Sequence, residues 1–265
     1  MKITIISVLT LIFASLISVA KAPLSQQLPY SKHLKFIENK GQWESFVTHK
    51  LDIPNGKVFL QKNQLTYTLY QQDNYSNLVK KRHDGLLKNT DSLALHSFNV
   101  RFLNANSNPT IKGNNPYTEH YNYFLGNDKT KWASNVRAFP EIVYANIYKN
   151  IDLKIYEKGN TLKYEFIVLP KGNTNQIRLT YDGLDDLFIR DGRLFLKTSV
   201  GTIQEKRPYV YQIINHQKIR IPCEFQIINK KEVIFKLKGH YNKKEKLVID
   251  PELVFSTYSG SRADN

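Results

Sequence analysis

Apolar and polar residues alternate with a period of two over most of the chain, and the helical period of 3.6 residues is nearly absent. In residues 162–168, for example, leucine, tyrosine, phenylalanine and valine occupy every second position. This alternation is typical of strands with one face on a core and the other in solvent. One short helix is expected at 128–134, with Asp128 as its N-cap. The pattern predicts an all-β fold, an antiparallel β-sandwich-like meander with few short helices.

Turn signals separate the predicted strands. Asp191-Gly192 accepts the positive φ angles of a type I′ turn and lies between two alternating runs, so it predicts a hairpin. Gly159-Asn160 tolerates the same backbone and should join a strand at 151–156 to one at 162–168. Further turns are predicted between apolar runs at 54–56, 62–63, 215–217 and 229–231.

Two polar stretches divide the predicted strands into groups. Residues 71–92 lack steady alternation and are interpreted as a long exposed loop. A second polar gap at 104–116, rich in asparagine, separates an amino-terminal β unit at 30–104 from a larger β-sandwich unit at 117–252. The sequence leaves open whether these units are two subdomains or one continuous sandwich.

The amino terminus has the composition of a secretory signal peptide. Lys2 precedes an uncharged apolar run at 3–19. Ser18 and Ala20 are small residues at the two positions that a signal peptidase recognises before its cleavage site. Seventeen uncharged residues fall short of the roughly 20 that span a bilayer. Residues 1–20 are therefore predicted to be a cleaved signal, which implies a secreted or cell-surface protein with no stable membrane insertion after cleavage.

Charge and cysteine content narrow the classes of partner. The formal net charge is +15, which taken alone indicates an anionic partner. However, Lys outnumbers Arg by 29 to 9, whereas phosphate recognition favours the planar fork of Arg. The basic residues are also scattered, and no nucleic-acid-binding motif is present, so we predict no nucleic-acid partner. The single cysteine, Cys223, rules out an internal disulfide and is interpreted as a small buried residue of a strand.

No linear catalytic signature occurs in the sequence. It lacks a Gly-rich phosphate loop, a Gly-x-Ser-x-Gly elbow, a His-Glu-x-x-His helix and any Cys or His pair at metal spacing. Asp182, Asp185, Asp186 and Asp191 could supply oxygen ligands to Ca²⁺, but Asp182-Gly183 and Asp191-Gly192 are ordinary turn pairs. The prediction is a protein that is not an enzyme, with no catalytic residue, no metal and no cofactor. A secreted hydrolase assembled by tertiary folding is kept as a third hypothesis.

Several ordered segments carry a resemblance to a known family. The chain resembles the DUF7948-like amino-terminal domain of secreted SBBP-repeat (bacterial β-propeller) proteins of Bacteroidetes type, over about residues 33 to 261. The segments that carry it are Phe36-Ile37-Glu38-Asn39-Lys40-Gly41-Gln42-Trp43, Tyr121-Asn122-Tyr123-Phe124-Leu125-Gly126-Asn127-Asp128 with Lys131-Trp132-Ala133, Asn150-Ile151-Asp152-Leu153, Leu162-Lys163-Tyr164-Glu165-Phe166 and Leu247-Val248-Ile249-Asp250-Pro251.

The resemblance implies a place in a larger protein. In that family propeller repeats come after the domain, so residues 253–265 are expected to begin such a repeat, with 253–255 loosely held for want of partner strands. Type IX secretion and surface display are further implications. The expected function is a non-enzymatic structural and presentation module for downstream propeller repeats of the same polypeptide.

Binding of an extracellular polysaccharide, in glycan capture or adhesion, is the alternative function. Aromatic side chains stack on sugar rings, and the motif residues Trp43, Tyr121, Tyr123 and Trp132 are the candidate binding surface, although packing accounts for them equally well. Asp91-Ser92-Leu93 also resembles the O-glycosylation triplet of such bacteria, which makes Ser92 a candidate modification site.

Overall fold

A computed structural model describes residues 34–124, 126–159 and 161–256, and it confirms the predicted all-β, antiparallel fold. The described part holds 21 strands, one α-helix and two short 3-10 helices. The strands are β1 (Phe36–Glu38), β2 (His49–Ile53), β3 (Gly56–Leu60), β4 (Gln64–Tyr70), β5 (Leu95–Phe102), β6 (Thr110–Asn114), β7 (His120–Tyr123), β8 (Ala133–Phe139), β9 (Glu141–Tyr148), β10 (Ile151–Lys158), β11 (Thr161–Val168), β12 (Arg178–Asp182), β13 (Asp186–Arg190), β14 (Arg193–Thr198), β15 (Gly201–Glu205), β16 (Tyr209–Ile214), β17 (Gln217–Ile221), β18 (Cys223–Ile227), β19 (Glu232–Leu237), β20 (Leu247–Asp250) and β21 (Leu253–Ser256). The helices are α1 (Gln72–His83) and 3-10 turns at Lys129–Lys131 and Thr174–Gln176.

The strands form three antiparallel sheets. The ten-stranded sheet has the order β18-β19-β12-β5-β4-β3-β2-β1-β8-β7. The seven-stranded sheet has the order β17-β16-β20-β11-β10-β9-β6, and the four-stranded sheet the order β13-β14-β15-β21. Every registered pair of strands is antiparallel, as short turn-linked strands require.

One large hydrophobic cluster lies between the three sheets. It contains Phe36 and Phe98 from the ten-stranded sheet, Phe166 and Ile249 from the seven-stranded sheet, and Leu194 from the four-stranded sheet. Every second residue of β11 is buried in this core. Successive side chains of a strand point to opposite faces, so the alternating pattern places its apolar residues on the core side. The sandwich is therefore held together by one shared interior.

Both hairpins predicted from turn signals are confirmed. Strands β13 and β14 pair across Asp191 and Gly192, whose φ angles of 52° and 72° fit a type I′ turn. Strands β10 and β11 pair over eight residues each, with Gly159 at φ 59°. The predicted turns at 54–56, 62–63, 215–217 and 229–231 also join paired strands.

The proposed division into units at 30–104 and 117–252 does not correspond to the sheets. Strand β12 lies between β5 and β19, and β1 pairs with β8, so strands of the second proposed unit flank those of the first on both sides within the ten-stranded sheet. The polar gap at 104–116 contains β6, which pairs with β9 in the seven-stranded sheet. Strand pairing between the units makes them parts of one folded body.

The prediction of an exposed loop at 71–92 is wrong for residues 72–83, which form helix α1. None of its residues is buried. Asn74 fastens the helix by donating to the Ser92 carbonyl at 3.2 Å and accepting from the Ala94 amide at 2.8 Å. Lys81 adds a salt bridge of 2.6 Å to Asp91. The helix is thus an exposed element tied to the start of the next strand.

The premise that residues 253–255 lack a partner strand is also wrong. Strand β21 pairs with β15 over four residues, from Leu253 opposite Glu205 to Ser256 opposite Thr202. Residues 1–20 and 257–265 lie outside the described residues. Within the described part, no helix is long and apolar enough to cross a membrane.

We expect Gly56→Ala to lower the free energy of unfolding by about 2 kcal/mol or more. A Cβ at Gly56 would lie 2.2 Å from the backbone oxygen of Thr68, which cannot move without disturbing β4. Gly85→Ala is the matched control, because its φ of +69° costs about 1 kcal/mol but its Cβ would meet nothing within 4 Å. Urea unfolding of both variants measures the difference. Equal losses in the two variants would contradict the steric argument.

Candidate functional site

Three of the four motif aromatics lie together at one end of the ten-stranded sheet. On strands β1 and β8, Phe36 and Phe139 face the main core. The residues between such positions face the opposite side of the sheet, where they form a second, small hydrophobic cluster. Aromatic rings cover this cluster, and we call the whole assembly the motif cluster. Its buried members are Ile37, Ala133, Val136 and Ala138, and the half-buried rings are Trp43, Tyr117, Tyr121 and Tyr123.

Asn39 organises the loop that carries Trp43. Its side-chain nitrogen donates to the carbonyls of Trp43 at 3.2 Å and Val47 at 2.8 Å. Its side-chain oxygen accepts from the amides of Gly41 at 3.0 Å and Trp43 at 3.2 Å. Gly41, at φ 109°, permits the turn. The first family motif therefore forms a self-bonded loop that places Trp43 edge-on to Tyr123, with ring centroids 5.5 Å apart.

Lysine ammonium groups lie over the rings of the motif cluster. Lys50 Nζ lies 5.2 Å from the centroid of the Trp43 ring, and Lys35 Nζ lies 4.8 Å from that of Tyr117 and 6.0 Å from that of Tyr121. Burial lowers the pKa of Lys50, while its salt bridge to Asp52 at 3.1 Å acts in the opposite direction. Because cations occupy these ring faces, the geometry favours a packing role for Trp43 and Tyr121.

The fourth candidate, Trp132, lies outside this cluster. It is 38 % exposed and packs edge-on against Phe124, which is 59 % exposed, at 5.5 Å between ring centroids. Its indole nitrogen donates to the Gly126 carbonyl at 3.2 Å. The helix predicted at 128–134 is a single 3-10 turn at Lys129–Lys131, and Asp128 caps it by accepting from the Thr130 amide at 3.0 Å.

A second group of polar and aromatic side chains lies on the seven-stranded sheet, on the face turned away from the core. We call it the tyrosine face, and the sequence interpretation missed it. Tyr209 stands directly opposite Asp250 in the strand register, and Glu165 is the next residue across from Asp250 on β11. The rings of Tyr209 and Tyr211 lie 5.5 Å apart, and the Tyr156 hydroxyl interacts with the Glu165 carboxylate. Its members are Tyr156, Glu165, Tyr209, Tyr211 and Asp250.

The carboxylates of the tyrosine face are partly desolvated. Burial raises the pKa of Glu165, with Lys154 acting against the shift and Asp250 adding to it. Burial likewise raises the pKa of Asp250, while Lys163, Lys158 and Lys218 act against the shift. The buried Asp250 Oδ1 has no hydrogen-bond partner among the described residues. Such an unpaired buried acceptor costs about 1–3 kcal/mol.

Basic residues of the edge strand β17 complete this face. Lys218 Nζ lies 3.7 Å from the centroid of the Tyr211 ring and 5.1 Å from that of Tyr209. The Arg220 guanidinium carbon lies 5.5 Å from the centroid of the Tyr209 ring. The sequence carries no clear signal for this group, because Tyr209 and Tyr211 alternate with Val210 and the polar Gln212. Only the structure shows that Val210 and Gln212 are the buried residues, which assigns the tyrosines to the outer face.

A buried carboxyl group lies where the three sheets meet. Glu205 of the four-stranded sheet is 2 % exposed. Tyr164 of the seven-stranded sheet donates to it at 2.8 Å, and Tyr181 of the ten-stranded sheet donates at 3.3 Å. Burial raises the pKa of Glu205 to about 7, with the two phenol hydrogen bonds acting against the shift. Sequence reasoning missed this residue because its tyrosine partners come from distant strands.

The remaining candidates have structural partners. Asp182 binds Arg101 and, at 3.0 Å, Lys231, and no group of three or more His, Cys, Asp or Glu side chains suited to a metal occurs in the described ranges. Burial raises the pKa of the half-buried Cys223 thiol to about 12, which disfavours the reactive thiolate. Ser92 is exposed, and its carbonyl accepts from Asn74.

His96 forms a tie between two sheets. Its Nε2 lies 2.7 Å from the Gly183 carbonyl, so Nε2 carries the proton and donates. Its Nδ1 accepts from the Ser199 amide at 3.2 Å and lies 3.0 Å from the Ser199 hydroxyl. Because the backbone amide already occupies Nδ1, this geometry favours a structural pairing over an activated nucleophile.

Comparison with known families gives one match. The model of DUF7948, described as a domain of unknown function, matches residues 36–252, which is more than half of the chain. The match begins at β1 and ends two residues beyond β20. It therefore includes the motif cluster, the tyrosine face and Glu205. No curated protein and no solved structure matches the chain.

Proposed function

Because the chain belongs to the DUF7948 family, we propose that it is a non-enzymatic structural and presentation module of a secreted or cell-surface protein. In this proposal residues 1–20 direct export and are removed. The domain then precedes SBBP-type β-propeller repeats of the same polypeptide, in a protein of Bacteroidetes type. Residues 255–258, Phe-Ser-Thr-Tyr, resemble the start of such a repeat and support this arrangement.

The pairing of β21 with β15 is the observation that carries the proposal. The family match ends at residue 252, and β21 begins at the next residue as the edge strand of the four-stranded sheet. A segment that continues from β21 would start from a hydrogen-bonded strand instead of a free linker. Such a connection restricts the orientation of a downstream repeat relative to this domain, as a presentation module requires.

Hydrogen exchange and the size of the natural protein test this proposal together. We expect the amides of β21 to be protected to a degree similar to those of β15, because the two strands share a ladder. We also expect the protein recovered from the culture medium or cell surface to continue into repeats of about 40–50 residues. Retention inside the cell, or a coding sequence that stops at Asn265, would refute the presentation role.

A further inference from the structure

We propose that the tyrosine face, together with Lys218 and Arg220, is a binding site for a carboxylated polysaccharide. This inference is independent of the presentation role, which concerns the four-stranded sheet. It rests on three observations about the outer face of the seven-stranded sheet: two cations that form no salt bridge among the described residues, tyrosine rings and an exposed isoleucine beside them, and a carboxyl group placed to accept from hydroxyls.

The cations Lys218 and Arg220 are available to an anionic ligand. Both are exposed residues of the edge strand β17, and neither forms a salt bridge within the part of the chain that the structure describes. The neighbouring Lys154 and Lys163, in contrast, are paired with Glu165 at 3.7 Å and Glu252 at 3.2 Å. Stacking on tyrosine rings holds the two free cations in place. Asp250 interacts electrostatically with Lys218, but no carboxylate of the described residues lies within salt-bridge distance of either cation, so both can still bind an anion from outside the protein.

An exposed isoleucine offers an apolar surface beside these charges. Lys218 and Arg220 lie over the rings of the half-buried Tyr211 and Tyr209. Ile213, which continues the same face of β16, is 59 % exposed. It is the apolar surface that remains for the C–H face of a sugar ring. The face crosses five neighbouring strands, which at about 4.8 Å per strand is about 19 Å. That length suits a chain of sugars better than a single one.

The carboxyl group of Glu165 favours a ligand with hydroxyls. It is an acceptor that a sugar hydroxyl can satisfy, whereas Asp250 Oδ1 is buried and a ligand does not reach it. The phosphodiester backbone of DNA offers Glu165 no hydroxyl donor, whereas each sugar of a uronate chain carries hydroxyls beside its carboxylate. Cations at one edge and an acceptor at the centre therefore fit a hydroxyl-rich chain that carries carboxylates better than they fit a DNA strand.

The test is binding of the purified protein to polygalacturonate, measured by affinity electrophoresis and by titration calorimetry at about 0.15 M salt, where scattered charges are screened beyond about 8 Å. The site variant is K218Q/R220Q. The control variant is K80Q/R82Q, which removes two equally exposed cations from α1, on the ten-stranded sheet. The ligand controls are fully methyl-esterified polygalacturonate, which has no carboxylate charge, and a single-stranded oligonucleotide.

We expect the site variant to bind polygalacturonate about tenfold more weakly or worse, and the control variant to stay within about threefold of the wild type. The methyl ester should also bind about tenfold more weakly. Both variants should keep the thermal midpoint of the wild type, since the replaced side chains are exposed. Equal losses in the two variants would assign binding to net charge and overturn the proposal. Absence of binding, or equal affinity for the oligonucleotide, would also overturn it.

Discussion

Replacing Phe166 by alanine is expected to lower the free energy of unfolding by about 4 kcal/mol. Phe166 has no exposed surface and lies on β11 of the seven-stranded sheet. Its ring centroid lies 6.4 Å from that of Phe102 and 6.0 Å from that of Phe235, both in the ten-stranded sheet, and 6.0 Å from that of Tyr164. The substitution would remove apolar contacts and leave a cavity between the two large sheets, which close-packed neighbours fill only partly.

Phe46→Ala is the matched control, because the same side chain there is 53 % exposed. We expect it to cost less than about 1 kcal/mol. Urea unfolding followed by tryptophan fluorescence and by circular dichroism measures both variants, and coincident transitions would show that the sheets unfold together. If Phe166→Ala cost no more than Phe46→Ala, the contact between the two sheets would not be the main source of stability.

The local elements around Phe166 were predictable from the sequence because their signals are short-range. Alternation in 162–168 identifies the buried face of β11, and Gly159 supplies the turn that pairs it with β10. The Asp191-Gly192 hairpin is identified by the same two signals. Each depends only on residues within about ten positions of one another, as hairpins do.

The order of strands in the sheets was not predictable in this way. Strand β12 at 178–182 pairs with β5 at 95–102, and β1 pairs with β8 about a hundred residues later. Alternation states that a strand has a buried face, but it carries no information about which strand lies beside it. For this reason the polar gap at 104–116 looked like a boundary between units although the strands on its two sides share one sheet.

Helix α1 was missed for a related reason. Its apolar residues are Tyr75, Leu78 and Val79, which cover a single turn and are too few to form the stripe that indicates a helix. Its main ties are tertiary: Asn74 binds the backbone at residues 92 and 94, and Tyr75 stacks on Tyr70 at 5.3 Å. A helix that packs no apolar face against the core is recognised only when those partners are in place.

The arrangement of the four candidate aromatic residues could not be predicted from the sequence. Trp43, Tyr121 and Tyr123 do come together, but with Lys50 and Lys35 over the rings they form a packed cluster. Rings on strand faces look alike in a sequence whether they support a fold or face a ligand. The tyrosine face differs because Tyr209 lies directly opposite Asp250, with Glu165 across from Asp250 on the next strand. This arrangement is a result of strand pairing.

The pH dependence of stability is expected to reveal Glu205. Its folded-state pKa of about 7 lies above the ordinary value of 4.5, so between these pH values the folded protein binds the proton more tightly than the unfolded chain. Its contribution to stability therefore falls as the pH rises from about 4.5 to about 7 and stays constant above that. At about 1.4 kcal/mol per pH unit the change amounts to about 3 kcal/mol.

The variant Glu205→Gln isolates this contribution. Glutamine keeps the shape and an acceptor for a tyrosine hydroxyl but cannot ionise, so the variant should gain about 3 kcal/mol relative to the wild type between pH 4.5 and pH 8. The comparison must be a difference between the two proteins at each pH, because burial lowers the pKa of His49 to about 4. His49 removes stability as the pH falls from 6.5 toward 4, the opposite direction, in both proteins alike.

Glu224→Gln, on an exposed side chain paired with Lys238, is the control, and its difference from the wild type in the free energy of unfolding should change by less than about 0.5 kcal/mol over the same range.

Because Glu205 joins the four-stranded sheet to Tyr164 and Tyr181, its ionisation should weaken that attachment first. At pH values above 7, the rate of amide hydrogen exchange in β14 and β15, corrected for the intrinsic effect of pH, should then increase in the wild type but not in Glu205→Gln. A Glu205→Gln difference that does not vary with pH would mean that the carboxylate is already well satisfied by the two phenols, and that its burial is not what limits stability at neutral pH.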